Sequence, residues 1–236
     1  MPEITYIKAK IRPLECYKKG WQLIKSDYWT LFAITLVGLL IASAMPLGIL
    51  IGPMYCGIYY ALLKKFNGDT VKFADLFKGF DFFLPSVVAS VFLIVPILVS
   101  TISYTVTIVA FFAKAFDEQG MLSDADIIKL YIWLIAEGVV FALLIACIHA
   151  LIIFSYPLIV EHKLSGFDAF KLSSKAVWKN LDGVVGLLVL QFILGFLSLF
   201  LLFVGIYLFL PLSFSAAIIA YKKIFPQNKD VEGLSN

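Results

Sequence analysis

The residues that could perform chemistry are few in this sequence, and their types limit what that chemistry could be. The chain has two histidines, and its three cysteines form no CxxC or Cys/His cluster. Metal sites in proteins need three or four such ligands, so we expect no metal and no cofactor. No P-loop, HExxH or dinucleotide fingerprint occurs. The sequence therefore predicts a protein that is not an enzyme and has no catalytic residue.

Glu137 and His149 are ionisable side chains within a long apolar run, a placement that usually marks function. On one helix they would lie about 18 Å apart along the axis and roughly 120° apart around it, so they cannot pair directly. Glu137 is interpreted as an acid near the outer membrane interface, with a buried intramembrane acid as the alternative. His149 is expected near mid-membrane, either hydrogen-bonded to a neighbouring helix or acting as a proton relay or ligand contact.

Hydroxyl and amide side chains form the second group of candidates. Ser103 and Thr107 belong to a polar stretch of the third predicted span, and Gln191 lies in the fifth. In membrane helices, serine and threonine usually bond backbone carbonyls or bridge helices. A transporter would use these groups and His149 in a cavity, whereas an accessory protein would have them paired.

The elements that position these residues are long apolar blocks. Hydrophobic residues make up 61% of the 236 residues and charged residues 15%, with a mean hydropathy of +0.96, against about 25% charged in soluble domains. The first and last blocks exceed the roughly 20 residues of one crossing, and they contain candidate turns at Pro46–Gly48 and Gly205. We predict an all-α, polytopic membrane protein with six spans, at roughly 30–46, 49–65, 83–113, 127–160, 183–203 and 206–223.

The lysines and arginine predict the orientation of these spans. Six spans place 17 of the 19 Lys and Arg residues on the side that holds both termini. Positive residues are enriched in cytoplasmic loops, so both termini are predicted to be cytoplasmic. A net charge of +3 without a basic water-exposed domain predicts no nucleic-acid partner.

The predicted organisation is one membrane domain in which cytoplasmic amphipathic segments precede hairpins. Gly79-Phe80-Asp81 recurs as Gly166-Phe167-Asp168 within two such segments, and the Ser165 hydroxyl can cap the second of them with Asp168 three residues on. Their aromatic side chains are expected in the inner membrane interface, close to lipid headgroups. The parts are a leader (1–28), a hairpin (29–65), an amphipathic segment with a long hairpin (73–160), a second amphipathic segment with a hairpin (165–225), and a tail (226–236). The candidate interfacial contacts are Trp21, Tyr28, Phe167, Phe170 and Trp178.

The middle hairpin is longer than a membrane is thick. Its two predicted helices would reach roughly 46–51 Å, against a hydrocarbon core of about 30 Å. The helices must tilt or protrude, and the sequence favours protrusion of an outer tip at 114–129. This tip carries four acidic residues and is the expected contact site for a periplasmic partner: Asp117, Glu118, Asp124 and Asp126.

The segment from Phe170 to Asn180, FKLSSKAVWKN, precedes the last hairpin, which contains Gly205 and Pro211 and ends in YKKIF. Together with Gly68–Phe80, GDTVKFADLFKGF, this pattern resembles poorly characterised six-span bacterial membrane proteins. That group is itself similar to the membrane domain accompanying some glycerophosphodiester phosphodiesterases. The resemblance implies the fold and an inner-membrane location. Catalysis in those enzymes belongs to a separate soluble domain, so no catalytic residue is carried over.

These observations favour a non-enzymatic accessory or organising protein whose partners are membrane lipids and another membrane protein. The alternative is a transporter or channel for a small or lipophilic substrate. The two differ in whether the intramembrane polar groups are paired or line a cavity.

Overall fold

The computed structural model describes residues 4–117, 123–200 and 204–226. Within these ranges the regular structure is helical and contains no strand, which confirms the all-α prediction. The described residues form nine α-helices in succession, with 3₁₀ segments at Pro46–Gly48 and Phe73–Phe82. The helices are α1 (Pro13–Ile24), α2 (Tyr28–Ala44), α3 (Ile51–Phe66), α4 (Phe83–Asp117), α5 (Asp124–Ile152), α6 (Ser155–His162), α7 (Gly166–Lys179), α8 (Leu181–Leu199) and α9 (Val204–Ile224).

Several helical runs are long and apolar enough to cross a membrane. Four qualify directly among the described residues, and the pair α1 and α2, bent by 107°, raises the number to five. Helices α2 and α3 have 17 and 16 residues, or about 24–26 Å at the helical rise. They are therefore short for the roughly 30 Å hydrocarbon core. The multi-pass character agrees with the sequence, and the number of six spans stays a prediction.

Local sequence signals explain where several helices begin and end. Pro13 occupies the first turn of α1, where its missing N–H costs no hydrogen bond. The Ser165 hydroxyl accepts from the Asp168 backbone N–H at 3.2 Å and caps α7, as the sequence predicted. Gly48 has a φ of 64° in the turn between α2 and α3, a conformation that glycine adopts without steric cost.

The structure differs from the sequence prediction at three places. The amphipathic segment before the middle hairpin, Phe73–Phe82, is a 3₁₀ helix rather than an α-helix. The predicted fourth span, 127–160, is interrupted between α5 and α6 because Pro157 has no N–H for the Ile153 carbonyl and its ring crowds that carbonyl. Gly205, predicted as a turn, is the second residue of α9, and residues 201–203 lie outside the described ranges.

The chain divides into two compact units. One unit contains residues 1–90 and 150–236, and the other contains residues 91–149. We call them the packed unit and the hairpin unit. The hairpin unit consists of most of α4 and α5, and it includes Glu137 and His149.

In the packed unit, each amphipathic segment packs on the return helix of a hairpin. Segment Phe73–Phe82 lies on α3, α7 lies on α6, and α1 lies on α9. Glycines permit two of these contacts: a Cβ on Gly79 would be 1.9 Å from the Pro53 carbonyl oxygen, and one on Gly20 would be 2.7 Å from the Ser215 hydroxyl. Helix α1 therefore packs on α9, although many helices separate the two along the chain.

Candidate functional site

Asn180, at the junction of α7 and α8, is the most heavily bonded buried amide described. The residue is only 5% exposed to solvent. The Ala9 N–H donates to its Oδ1 at 2.7 Å, and its Nδ2 donates to the Ile7 and Ala176 carbonyls at 3.0 and 2.9 Å. The Ile7 N–H donates in turn to the Ile224 carbonyl at 3.0 Å. Asn180 therefore holds the extended N-terminal segment against the packed unit.

Ser173 has a similar role at the break between α5 and α6. Its hydroxyl donates to the Leu151 carbonyl at 2.6 Å and accepts from the Phe154 N–H at 3.3 Å. Ser173 is fully buried, so it satisfies backbone groups that the interrupted helix leaves without partners. Ser173 thus stabilises the break that Pro157 creates.

Ser173 and Asn180 both belong to the segment that carries the family resemblance, yet the sequence analysis did not select them. They are seven residues apart, which is close to two helical turns and places both on one face of α7. Two small polar residues at this spacing among apolar neighbours would have been a usable signal. The structure gives both of them backbone partners within the chain.

Ion pairs join the ends of return helices to the amphipathic segments. Lys64 donates to both carboxylate oxygens of Asp75 at 3.0 and 2.9 Å, Lys223 donates to Glu15 at 3.1 Å, and Lys65 pairs with Asp27. Hydrogen bonds from Lys19 and then Lys223 lower the pKa of Glu15 below its usual value. Hydrogen bonds from Lys65 and then Ser26 do the same for the pKa of Asp27.

The hairpin unit brings together three of the predicted polar residues. Glu137 on α5 accepts hydrogen bonds from two hydroxyls of α4, those of Ser103 and, at 3.4 Å, Thr107. The Tyr104 hydroxyl donates to the Leu134 carbonyl at 3.1 Å, beside Gly138, where a Cβ would approach that hydroxyl to 2.4 Å. These bonds link α4 to α5.

His149 and Gln191 are not part of this arrangement. His149 lies in the last turn of α5 and is half-buried. Because α5 is continuous from Asp124 to Ile152, Glu137 and His149 are about 18 Å apart along it, as the sequence analysis expected. Gln191 is half-buried in α8 and belongs to the packed unit.

The predicted interfacial residues divide into exposed and packed side chains. Phe167 is 58% exposed and Trp178 is 66% exposed, and Trp21 is also exposed. Tyr28 is half-buried, with its hydroxyl donating to the Leu208 carbonyl at 2.7 Å. Phe170 is half-buried and packs against the hydrophobic core. Contact with lipid is therefore possible for the exposed rings of Trp21, Phe167 and Trp178. The rings of Tyr28 and Phe170 also pack within the protein.

Three cavities lined wholly by described residues lie near the ends of helices. A cavity of about 310 Å³ lies at the bend between α1 and α2 beside Trp21 and Lys25. A second of about 380 Å³ lies beside Asp81 and Lys163. The third, of about 350 Å³, lies near the ends of α4 and α5 that the outer tip connects. None of these three is lined by His149 or Gln191.

Across the described ranges, no group of three or more His, Cys, Asp or Glu side chains is placed to hold a metal ion. At the predicted outer tip, Asp126 pairs with Lys114 at 3.3 Å and with Lys129 at 3.9 Å, and Glu118 lies outside the described residues. No family model, no curated protein and no solved structure matches this chain.

Proposed function

We propose that the chain is a non-enzymatic, multi-pass protein of a bacterial inner membrane that acts through contacts with lipids or another membrane protein. In this role it would be an accessory or organising subunit. The observation that carries the proposal is the outward surface of the hairpin unit. Large apolar side chains are exposed along both of its helices, including Val95, Val99, Ile102, Val106, Val109, Val139, Val140 and Leu143.

The placement of the polar groups supports the same role. Ser173 and Asn180 bond backbone groups, and Glu137 accepts from hydroxyls of the adjoining helix. Side chains committed to such bonds stabilise the fold and leave the chain's outer surfaces as its means of interaction. This distribution favours contact with an apolar partner over chemistry at a polar centre.

The topology that we propose has six spans with both termini cytoplasmic. Helices α2 and α3 would form a short hairpin, and the ion pairs at the ends of α3 and α9 would lie at the inner membrane surface. Cysteines introduced at positions 70, 172 and 230 should react with an impermeant thiol reagent only from the cytoplasmic side, and one at position 120 only from outside. The natural cysteines are first replaced by alanine. Labelling of position 172 from outside would refute six spans.

A transporter or channel for a small or lipophilic substrate is the second candidate. The bonded set of Glu137, Ser103 and Thr107 is the observation in its favour, because a carboxyl group among apolar helices can bind or transfer a proton. This function would also require His149 to titrate or to contact a ligand.

Two substitutions distinguish these functions. His149→Gln keeps a hydrogen-bonding side chain and removes titration, so under the accessory role a growth or complementation assay should change little. Phe167→Ser should impair cellular function, because a buried aromatic ring is worth about 1.5–3 kcal/mol in an apolar environment. Phe167→Leu, which remains apolar, is the matched control and should retain function. An inactive His149→Gln variant beside a fully active Phe167→Ser variant would contradict the accessory role and favour a proton-coupled transporter.

A further inference from the structure

A cavity of about 380 Å³ lies between the start of α4 and the residues that follow α6, and we call it the Asp81–Lys163 cleft. Phe82, Pro85 and Leu164 line its apolar part, and Asp81 and Lys163 are the charged residues that line it. All five belong to the packed unit. Within the described part of the chain, Asp81 and Lys163 form no ion pair with each other. The cleft therefore presents one charge of each sign to its occupant.

Lys163 has an unusual backbone conformation. Its φ of 53° is the one positive φ among the described non-glycine residues. The residue ends α6, a position for which helices commonly use glycine because a side chain is strained in the left-handed region. Glycine would end the helix without that strain, so the end of α6 does not explain the lysine. Strained residues of this kind cluster at functional sites.

The two copies of the Gly-Phe-Asp pattern use their aspartates differently. In the second copy, the carboxylate of Asp168 accepts from the Ser165 hydroxyl at 2.6 Å, at the start of α7. In the first copy, the described partner of Asp81 is Lys78 at 3.6 Å, and both side chains are more than half exposed. An ion pair exposed to this degree contributes little. Asp168 is thus committed to α7, whereas Asp81 can still accept from a ligand.

A close backbone contact fixes the two charged walls of the cleft. A Cβ on Gly166 would lie 2.2 Å from the Pro85 carbonyl oxygen, so only glycine allows this approach. Gly166 comes three residues after Lys163, and Pro85 comes four residues after Asp81. The contact therefore sets how far apart the two charges are held.

The charges around the cleft are balanced, which favours an occupant that carries both signs. With histidine counted as neutral, segments 78–85 and 161–168 and the lysine that pairs with Glu161 have three positive and three negative charges. The residues are Lys78, Asp81, Glu161, Lys163, Asp168 and Lys222. An ion of one sign would upset this balance. A zwitterion would meet Asp81 with its cation and Lys163 with its anion.

The apolar side chains beside the cleft indicate that it lies at a membrane surface. The helical run that contains α4 is long and apolar enough to span a membrane, and the cleft lies at the start of α4. Phe80, Phe83, Leu84 and Val88 are exposed there. An apolar surface of this kind is disfavoured in water. Lipid that covers it would bring its headgroups to the level of the two charges.

We propose that the Asp81–Lys163 cleft binds the headgroup of a zwitterionic phospholipid with a primary ammonium group, phosphatidylethanolamine, in the inner leaflet. This inference rests on the proposed membrane function and specifies one of its lipid contacts. Lys163 donates to the phosphate oxygens, and Asp81 accepts from the ammonium group. Phe82 and Leu164 contact the glycerol and the upper acyl chains. A choline headgroup has no N–H to donate to the carboxylate, so phosphatidylcholine should bind less well.

An engineered tryptophan beside the cleft reports on lipid binding. In a variant with the four natural tryptophans replaced by Phe, Leu84→Trp supplies the reporter, because Leu84 is exposed and does not line the cleft. The protein is reconstituted into phosphatidylcholine vesicles with a small fraction of brominated phosphatidylethanolamine, phosphatidylcholine or phosphatidylglycerol. Brominated phosphatidylethanolamine should quench with the highest apparent affinity. Asp81→Asn and Lys163→Gln should each reduce this preference roughly three- to fivefold, as expected for a partly exposed ion pair.

Lys163→Gly separates a loss of binding from a loss of folding. Glycine adopts the left-handed conformation without strain, so Tm in mild detergent should be at least that of the parent protein. The preference for phosphatidylethanolamine should nevertheless fall as it does in Lys163→Gln. Retention of the preference would overturn the site. Lys171→Gln, at an exposed position of α7, is the matched control and should leave the quenching unchanged.

The other outcomes identify a different occupant. Equal quenching by phosphatidylethanolamine and phosphatidylcholine, or stronger quenching by phosphatidylglycerol, would overturn the zwitterionic headgroup. Free phosphoethanolamine that abolishes the preference at millimolar concentration would overturn the lipid as its source. Absence of quenching by all three lipids would place the cleft away from the membrane and would also overturn the proposal. None of these results affects the comparison of His149→Gln with Phe167→Ser, so failure of this site is distinguishable from failure of the accessory role.

Discussion

The packed unit and the hairpin unit use their polar side chains in different ways. In the packed unit, Ser173 and Asn180 bond backbone groups at a helix break and along an extended segment. In the hairpin unit, Glu137 and the hydroxyls of Ser103 and Thr107 bond one another between two regular helices. Irregular backbone must have its hydrogen bonds satisfied when it is buried, whereas regular helices already satisfy their own.

The two units also differ in what surrounds their apolar residues. Glycines bring backbones of the packed unit into direct contact, while much of the apolar surface of α4 and α5 is exposed. We conclude that the packed unit is specified by contacts within the protein. The exposed apolar side chains of the hairpin unit must instead be covered by the medium around the protein.

Substitution of Gly57 should have the largest effect and gives the strongest test of this contrast. A Cβ at this position would lie 1.9 Å from the Leu76 carbonyl oxygen, so Gly57→Ala must separate α3 from the 3₁₀ segment. We expect a loss of about 3 kcal/mol, at the upper end for overpacking, measured by thermal unfolding in mild detergent. Gly195→Ala is the control, because no described atom beyond its chain neighbours and its own helix backbone lies within 4 Å of a Cβ at that position. Equal stability of the two variants would contradict the assigned contact.

Removal of the Asn180 side chain should have the next largest effect. Asn180→Ala leaves the Ala9 N–H and the Ile7 carbonyl without this partner, and a buried polar group that loses its bond costs about 1–3 kcal/mol. The N-terminal segment should then become accessible to limited proteolysis at lower temperature than in the parent protein. Asn67→Ala, at an exposed position at the end of α3, should leave the cleavage unchanged.

The bonds of the hairpin unit should be weaker. A double-mutant cycle of Glu137→Ala with Ser103→Ala should give a coupling energy of about 0.6 kcal/mol and at most about 1.7, as for hydrogen bonds between membrane helices. The measurement is equilibrium unfolding in bicelles. A coupling energy larger than the free energy of unfolding lost in Asn180→Ala would reverse the contrast between the units. The hairpin unit would then depend more on its polar contacts than the packed unit does.

The partly buried ion pair of Glu15 should have the smallest effect. Its hydrogen bonds with Lys19 and Lys223 lower its pKa from an ordinary value of 4.5. The pair therefore stabilises the folded chain above that value, and this contribution is lost as the pH falls through the lower pKa of the folded state. Glu15→Gln should reduce Tm slightly at pH 7 and leave it unchanged in strong acid. A difference in Tm that persists in strong acid would show that ionisation of Glu15 is not its cause.

Much of the fold could be predicted from sequence because strong local signals determine it. Long apolar runs predicted the helices, Pro46 and Gly48 predicted a turn, and Ser165 predicted the start of α7. The break at Ile153–Phe154 was less accessible. Pro157 removes one helical hydrogen bond, but the partner that supports the break, Ser173, comes from another helix.

The candidate site could be predicted only in part for the same reason. Glu137, Ser103 and Thr107 were selected individually from their polarity within apolar runs. Their meeting depends on the register of α4 against α5, and residues 118–122 of the intervening tip lie outside the described residues. Asn180 was missed because two of its three bonds are to residues more than 170 positions away, and the sequence does not show which distant residues a buried amide will bond.

The packing of α1 on α9 has a consequence for how the protein is made. Translation delivers α1 before α9, so α1 lacks this packing while the helices between them are being made. Its surface with Cys16, Tyr17 and Ile24 is buried in the folded protein and stays uncovered by α9 until then. Protection of α1 therefore reports that synthesis has passed α9.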